Sequence, residues 1–315
     1  MRDRQASEKA EGGSALQRLQ SGKGMHCSCV ICGYERDASD RTGIGTVRGN
    51  TSRFLNRTFL LWKCPKCHSL HSVDPVDFED IYQDYPLNKR RLDFFAKVSM
   101  GNLLRRLRRA GLGKTVTVLD YGCGNGLFVR FLQERGYERC VGYDPYVEGF
   151  DALPEHTLFD CVIANDVIEH VPDPRATVRR CVELLRQGGL LYIGTADSED
   201  VDMADLEPHV MRLHQPFHRI LVSQKTLEEL GTELGLDLVA SYRRSYMDTL
   251  VPFGSYRFLD EFSRALGHNM DLALDPSAGF ILLRRPRLWF FAFFGYFFPS
   301  AYEPAVIFRK PLTVR

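Results

Sequence analysis

The chain has 315 residues, of which 44% are hydrophobic and 26% charged, enough for one large domain or a medium domain with a small companion. Its 41 basic and 40 acidic side chains leave a formal net charge of +1. That balance argues against a dedicated nucleic-acid binder, which carries a strong basic excess.

Residues 1–24 are polar, rich in Gln, Ser, Gly, Glu and Lys, and predict a disordered tail. No apolar secretory segment is read there, so a reducing, cytoplasmic compartment is expected. Residues 25–75 form a loop-rich unit that holds five of the nine cysteines. Cys29 and Cys32 make one C-x-x-C pair, and Cys64 and Cys67 a second. In a reducing compartment such pairs read as metal ligands rather than disulfides. Four thiolates suit a closed, structural zinc site, and a unit this short needs the metal to fold. His26, Cys27, His68 and His71 lie near enough to replace one ligand.

Residues 76–114 predict a helical connector, with aromatics and leucines at helical spacing from Phe78 to Leu107. Lys89, Arg90, Arg91, Arg105, Arg106, Arg108 and Arg109 make it basic, as a solvated face or as a contact for phosphates. From Thr115 onward short β-branched runs alternate with amphipathic stretches, the pattern of a parallel α/β sheet. Strands are predicted at Val116–Leu119, Cys140–Tyr143, Phe159–Ala164 and Leu190–Thr195, and helices at Leu127–Arg135, Ala176–Arg186 and Thr226–Leu234. Residues 243–304 fit no β/α unit and read as an insertion, before a final strand at Ala305–Lys310. Within it Leu288–Phe298 is intensely aromatic but too short to span a bilayer, which takes about 20 residues. With Arg284, Arg285 and Arg287 beside it, it reads as a buried helix or dimer interface, or else as a contact with a membrane interface or a lipid-linked acceptor.

The most informative run is Val118-Leu119-Asp120-Tyr121-Gly122-Cys123-Gly124-Asn125-Gly126. A strand ends in an acid and a glycine-rich turn follows, where backbone N–H groups can approach a ligand closely. Alone this indicates a nucleotide-like ligand. About 20 residues on, the next strand ends in Asp144, placed to accept hydrogen bonds from ribose hydroxyls. The third strand runs into Asn165-Asp166-Val167-Ile168-Glu169-His170-Val171. A nicotinamide-binding turn would have G-x-G-x-x-G; here the spacing is G-x-G-x-G, with no evident hydride-transfer constellation.

In this order, and with Leu184 to Leu190 following, these motifs resemble class I S-adenosylmethionine-dependent methyltransferases over roughly Val116 to Tyr242. The resemblance implies a Rossmann-like α/β sheet, mostly parallel with an antiparallel last strand, behind a small N-terminal zinc ribbon. It implies that Gly122, Cys123 and Gly124, in the loop closed by Gly126, line the methionine and ribose side of the cofactor. It places Asp144 on the ribose, Asn165 and Asp166 beside the adenine or sulfonium, and Asp120 on the loop or the amino group. One departure stands out. Only Pro145–Leu158 separates Asp144 from the third strand, where the family usually fits a helix, a further strand and an acidic loop for the adenine; Asp151 and Glu155 are the available substitutes.

A ribbon joined to such a domain is similar to a bacterial subgroup that acts on small molecules, sugar C-methyltransferases among them. Tyr82 to Tyr85 resembles that subgroup's linker, and His218 to Leu227 its stretch before the sixth strand. A hydroxyl or carbon acceptor needs a base. His170, His209, His214 and His218 are candidates, and His214 and His218, which bracket Gln215-Pro216-Phe217, are the selected pair. His170 reads rather as a pocket wall; Tyr246, Tyr256, Arg257 and Glu261 read as substrate contacts or packing. The expected activity is methyl transfer to a small molecule such as a sugar nucleotide or a glycan or lipid-linked precursor, in the cytoplasm or peripheral to the membrane. The alternatives are an RNA methyltransferase that uses the ribbon for recognition and a non-catalytic cofactor-binding protein. Oligomeric state is left open.

Overall fold

A computed structural model of the chain describes residues 27–312, apart from Ala38, Asp84, Glu155 and 299–302. The expected tail 1–24, His26 and Glu155 lie outside the described residues.

The chain begins with a short antiparallel pair, β1 (Cys27–Ser28) and β2 (Glu35–Arg36). A meander follows: β3 (Ile44–Arg48), β4 (Thr58–Lys63) and β5 (Leu70–Ser72). Phe59-Leu60-Leu61-Trp62 in β4 is buried at four consecutive positions, which requires cover on both faces. Leu61 packs with Val201, Leu206 and Val210. Trp62 joins Cys29, Ile31 and Cys64 in one cluster with Leu119, Val162, Leu227 and Leu230. The cysteine-bearing unit and the α/β sheet therefore share a core.

The connector consists of α1 (Phe78–Tyr82), a 3-10 turn over Pro86–Lys89 and α2 (Phe94–Arg109). Helix α2 buries Leu103, Leu104 and Leu107 in a cluster with Phe131, Leu132 and Ile307. The basic face of α2 is partly structural: Arg106 donates to the Arg244 carbonyl at 2.6 Å, and Arg108 to the Tyr137 hydroxyl at 3.0 Å.

The central sheet is built from β6 (Val118–Tyr121), α3 (Leu127–Glu134), β7 (Cys140–Tyr143), β8 (Phe159–Asn165), α4 (Pro174–Glu183) and β9 (Leu185–Gly194). Helix α5 (Val210–Leu213) and β10 (Ile220–Leu221) come next; β10 pairs with β5, Ile220 opposite His71. Then follow α6 (Gln224–Glu233) and β11 (Asp237–Tyr242); α7 (Tyr256–Ala265), α8 (Met270–Ala273) and α9 (Pro286–Phe294) precede β12 (Ala305–Arg309). The strand order is β11-β12-β9-β8-β6-β7. Strands β7, β6, β8 and β9 are parallel, and β12 runs antiparallel between β9 and β11. Residues 243–304 thus connect two neighbouring antiparallel strands.

Several boundaries differ from those the sequence predicts. Helix α4 starts at Pro174 rather than Ala176, because Asp173 caps the Ala176 amide at 3.0 Å and proline occupies the first turn. It stops before Arg186 because Leu185 already pairs with Phe159 and opens β9. Strand β6 is shifted two residues toward the glycine turn. The strand at β11 was not among those predicted; it is an edge strand with a mostly exposed sequence. Among the described residues, no strand lies between β7 and β8. There the chain folds back so that the Phe150 ring packs beside Gly126 and Gly142, each of which is too close to it for a side chain.

In the insertion, α7 and α9 pack through Phe258, Leu288, Phe291 and Ala292. Trp289, Phe290, Phe293 and Phe294 on α9 point outward and stay exposed. No helix among the described residues is long and apolar enough to cross a membrane.

Candidate functional site

A cleft of about 320 Å³ opens at the carboxyl ends of β6, β7 and β8, the edge at which open α/β sheets bind ligands. After Asp120 and Tyr121 the chain turns through Gly122, Gly124 and Gly126, all with left-handed backbone (φ 77°, 52° and 74°). The amides of Gly122 and Cys123 donate to the Tyr143 carbonyl at 2.7 and 3.0 Å, tying the turn to β7. A Cβ on Gly122 would lie 2.4 Å from Val167, whereas one on Gly124 would meet no atom within 4 Å. Glycine at the first position is thus required by packing, and at the second it leaves the loop open toward the cleft.

Asp144, at the end of β7, accepts from the Gly124 amide at 3.0 Å and from the Tyr146 amide at 3.0 Å. Asn165 ends β8 and donates to Asp166 at 2.8 Å and to the Tyr246 hydroxyl at 3.3 Å. Of the eight residues singled out for a cofactor, Asp120, Gly122, Cys123, Gly124, Asp144, Asn165 and Asp166 line the cleft, and Gly126 sits behind it against Phe150.

The cleft is acidic. Burial, with the charge of Asp144 nearby, pushes the Asp120 carboxyl up to about 7. Asp166 opens toward the cleft, but the protein enclosing it, and then Glu169, raise it to about 7 as well. Arg90 is the cation that faces Asp166. Carboxyls held this high gain from a cationic ligand, which restores the charge that burial opposes.

The opposite wall is aromatic: Tyr82, Tyr85, Tyr146, Tyr246 and His170. Tyr82 stacks on Tyr146 with centroids 5.5 Å apart, and its hydroxyl lies 2.8 Å from His170 Nδ1. The connector forms the roof, because Asn125 donates to the carbonyls of Asn88 and Arg90, each at 3.1 Å. That is how Arg90, on the basic connector, comes to face the cleft.

His214 and His218 form a layer behind this wall rather than part of it. His214 is buried, with Nδ1 2.8 Å from Asn50 Oδ1 and Nε2 3.3 Å from the Tyr85 hydroxyl. His218 Nδ1 donates to the Arg212 carbonyl at 2.7 Å. Burial pulls His218 down to about 4 and His214 well below the usual imidazole value, so both rings are neutral. His214 reaches the cleft only through Tyr85. Tyr85 entered the sequence reading as part of a linker, and Asn50 was missed; only their long-range contacts show their place. His209 is half-buried and does not line the cleft. Tyr246 lines it, whereas Arg257 and Glu261 pair with each other at 2.7 Å within the insertion, and Tyr256 bonds to Glu303.

The four predicted metal ligands also converge. Cys29 and Cys67 sulfurs lie 3.4 Å apart, Cys32 and Cys64 sulfurs 3.6 Å apart, and all four sulfurs fall within 4.8 Å of one another. Tetrahedral zinc with bonds of about 2.3 Å spaces its sulfurs by about 3.8 Å, so the set fits. Each pair sits in the same kind of turn. The Gly33 amide bonds to the Cys29 carbonyl at 2.8 Å and the His68 amide to the Cys64 carbonyl at 3.0 Å, both residues having left-handed backbone. Cys27, His68 and His71 are not part of the cluster; the His71 ring stacks on Trp62 at 5.1 Å.

Residues 87–241 match a family model described as a methyltransferase domain. Ubiquinone biosynthesis O-methyltransferase of Xanthomonas oryzae pv. oryzae (strain PXO99A) is 32% identical over 128 residues, 40% of this chain and 51% of that protein. The Xylella fastidiosa (strain 9a5c) protein of the same name is 30% identical, over 40% of this chain and 50% of its own. The chain therefore spans about half the length of the curated relatives it matches. Phosphoethanolamine N-methyltransferase 2 of Haemonchus contortus, solved with S-adenosyl-L-methionine, is 15% identical, covers 94% of this chain and 73% of its own, and has a TM-score of 0.46.

Proposed function

We propose that this chain, whose residues 87–241 match a family model described as a methyltransferase domain, is a class I S-adenosylmethionine-dependent methyltransferase that transfers a methyl group to a small molecule in the cleft above its glycine turn. One observation carries the reading. Asp120, Asp144 and Asp166 converge on a left-handed turn in which Gly124 is open to the cleft.

The residues fit the cofactor. The Gly122–Gly124 turn would take its methionine and ribose side, Asp144 the ribose hydroxyls and Asp120 the ammonium. Arg90 is placed for the carboxylate, with Asn165 and Asp166 beside the sulfonium or adenine. In place of an acidic loop, Pro145, Tyr146 and Val147 are the cleft residues that follow Asp144, and they would cover the adenine. When bound, the sulfonium supplies a methyl group already activated for in-line transfer. The protein's work is then alignment and removal of a proton from the acceptor. For the second task neutral His214 stands behind the Tyr85 hydroxyl, held by Asn50, as a relay from the cleft. His218 supports the same wall from behind His170, with ring centroids 4.7 Å apart.

The aromatic wall suits a sugar nucleotide or a glycan or lipid-linked precursor. The names of the relatives, O-methyltransferases, support a hydroxyl acceptor. The exposed aromatics of α9, with exposed Arg284 and Arg285 and with Leu283 84% exposed, support contact with an anionic membrane surface from a cytoplasmic position. The four cysteines would hold one structural Zn²⁺.

Transfer of tritiated methyl from S-adenosylmethionine into a cell extract, fractionated into RNA, lipid and small molecules, tests the assignment. Label is expected in the small-molecule or lipid fraction. Label confined to RNA and released by nuclease would overturn it.

A further inference from the structure

Positive charge is unevenly placed along the chain. Between Lys89 and Arg139 there are twelve basic and four acidic side chains, although the whole chain carries a formal net charge of only +1. Elsewhere arginines are neutralised: Arg48, Arg53, Arg175 and Arg186 each pair with a carboxylate at 2.6–3.0 Å. On the outer flank of α2 the partners are neutral instead. Arg105 donates to Asn102 Oδ1 at 2.6 Å, Arg108 donates to the Tyr137 hydroxyl at 3.0 Å, and Arg135 lies over the Phe131 ring at 4.7 Å. All three are exposed, and none forms an ion pair among the described residues.

These arginines border a groove of about 530 Å³ that runs along α2 beside the end of α3, lined also by Phe94, Val98 and Gly101. Phe94, Val98, Gly101, Arg105 and Arg108 recur at spacings of three or four residues and so share one stripe of the helix, about 21 Å long at 1.5 Å per residue. Phe94 is 63% exposed. One end of the stripe is therefore apolar and the other cationic. Gly101 stands between them. A Cβ there would meet no atom within 4 Å, so nothing in this chain requires glycine, a residue that weakens a helix interior. It leaves a notch at which another chain can approach closely.

We infer that this groove receives an acidic amphipathic helix of a partner protein, with apolar side chains on Phe94, Val98 and Gly101 and carboxylates on Arg105, Arg108 and Arg135. A helix of about four turns matches the stripe in length. Docking of a helix in a groove uses apolar anchors three, four and seven residues apart, and the apolar end with its notch accepts them. The unpaired guanidinium groups at the other end bind carboxylates in fork geometry and set the direction of the helix. A nucleic-acid backbone calls for cations along the whole track, not for a phenylalanine and a valine. A bilayer is flat and does not enter a groove. Met100 and Leu103 line the cleft from the other side of the same helix, so a docked partner leaves the cofactor site open.

The test uses the full chain and, as the probe, a fluorescein-labelled synthetic helix of about 15 residues, with leucines at helical spacing in one half and glutamates on the same face in the other. A scrambled peptide of equal charge is the control. Fluorescence anisotropy is expected to show one-to-one binding in the micromolar range, with the scrambled peptide at least about tenfold weaker. Arg105→Glu combined with Arg135→Glu should weaken binding about tenfold or more, and Gly101→Leu, which fills the notch, about tenfold. Arg139→Glu, at an exposed position outside the groove, should change it less than about twofold. No binding to the wild type, equal binding of both peptides, or an equal loss in Arg139→Glu would overturn the inference. So would tighter binding of a short RNA duplex or of phosphatidylglycerol vesicles, probed in the same assay. Melting curves are taken on every variant. The double charge reversal alters only exposed side chains, so it decides the question even where Gly101→Leu does not fold.

Discussion

Protonation of Asp120 should loosen the cofactor's hold on the cleft. The carboxyl is buried beside Asp144, and this raises it from the ordinary aspartate value to about 7 in the free protein. A cationic ligand binds the ionised form. With that pKa, about nine-tenths of the sites are ready at pH 8 and about one in thirty at pH 5.5, so affinity should fall roughly thirtyfold between the two. Isothermal titration with S-adenosylmethionine at half-unit steps would show a plateau above pH 8 and a slope approaching one decade per pH unit below 6.5. Asp120→Asn should bind more weakly at pH 8 and lose most of that slope. A flat wild-type profile, or a slope unchanged in Asp120→Asn and lost instead in Asp166→Asn, whose carboxyl is also raised to about 7, would refute the assignment of the ammonium to Asp120.

Four further outcomes are expected. Gly122→Ala places a methyl 2.4 Å from Val167 in left-handed backbone and should lower stability by about 1–3 kcal/mol, whereas Gly124→Ala meets no neighbour and should cost stability less than it costs S-adenosylmethionine affinity; thermal melts and titrations separate the two. Free-protein stability should fall as pH rises from 6.5 to 8. Asp120 and Glu169 (each about 7) and Glu303 (about 8) are raised above their unfolded values, so their stabilisation is present at low pH and lost through these folded values. The buried histidines act the opposite way only below about 6.5, so a falling Tm across that window, flattened by Glu303→Gln, is the readout. Purified protein should carry one zinc, and Cys64→Ser should release it and melt the unit around β4; less than about half an equivalent in the wild type would contradict four-thiolate ligation. Replacing exposed Phe290 and Phe293 by Ser should reduce sedimentation with anionic vesicles about tenfold without changing Tm, and equal binding by both proteins would remove α9 as a membrane contact.

Much of the cleft was legible in the sequence because it is made locally. Asp120, the glycines, Asp144 and Asn165-Asp166 each stand at a strand end, and a parallel sheet brings such ends to one edge. Strand β7 coincides with its predicted span for the same reason: a short apolar run bounded by polar residues has one way to lie in the sheet. What escaped is nonlocal. Ile220 pairs with His71, and Trp62 packs near Leu227, through contacts that no periodicity encodes. Tyr85 looked like linker until the connector folded over the cleft and set its hydroxyl between His214 and the ligand space. The histidine pair was found by residue type, yet residue type could not show that Tyr85 stands between His214 and the cleft and His170 between His218 and the cleft. Helix α9 is two-sided in a way its unbroken aromatic run could not show, since one side buries Leu288, Phe291 and Ala292 while Trp289, Phe290, Phe293 and Phe294 remain exposed.

The most direct measurement is a crystal structure grown with S-adenosylhomocysteine in excess. The adenosyl group is expected in the cleft, with its ribose on Asp144 and its amino acid end over Gly122–Gly124 toward Asp120. A ligand bound elsewhere, or a cleft filled by the side chains of Tyr82, Tyr146 or Arg90 at saturating ligand, would contradict it.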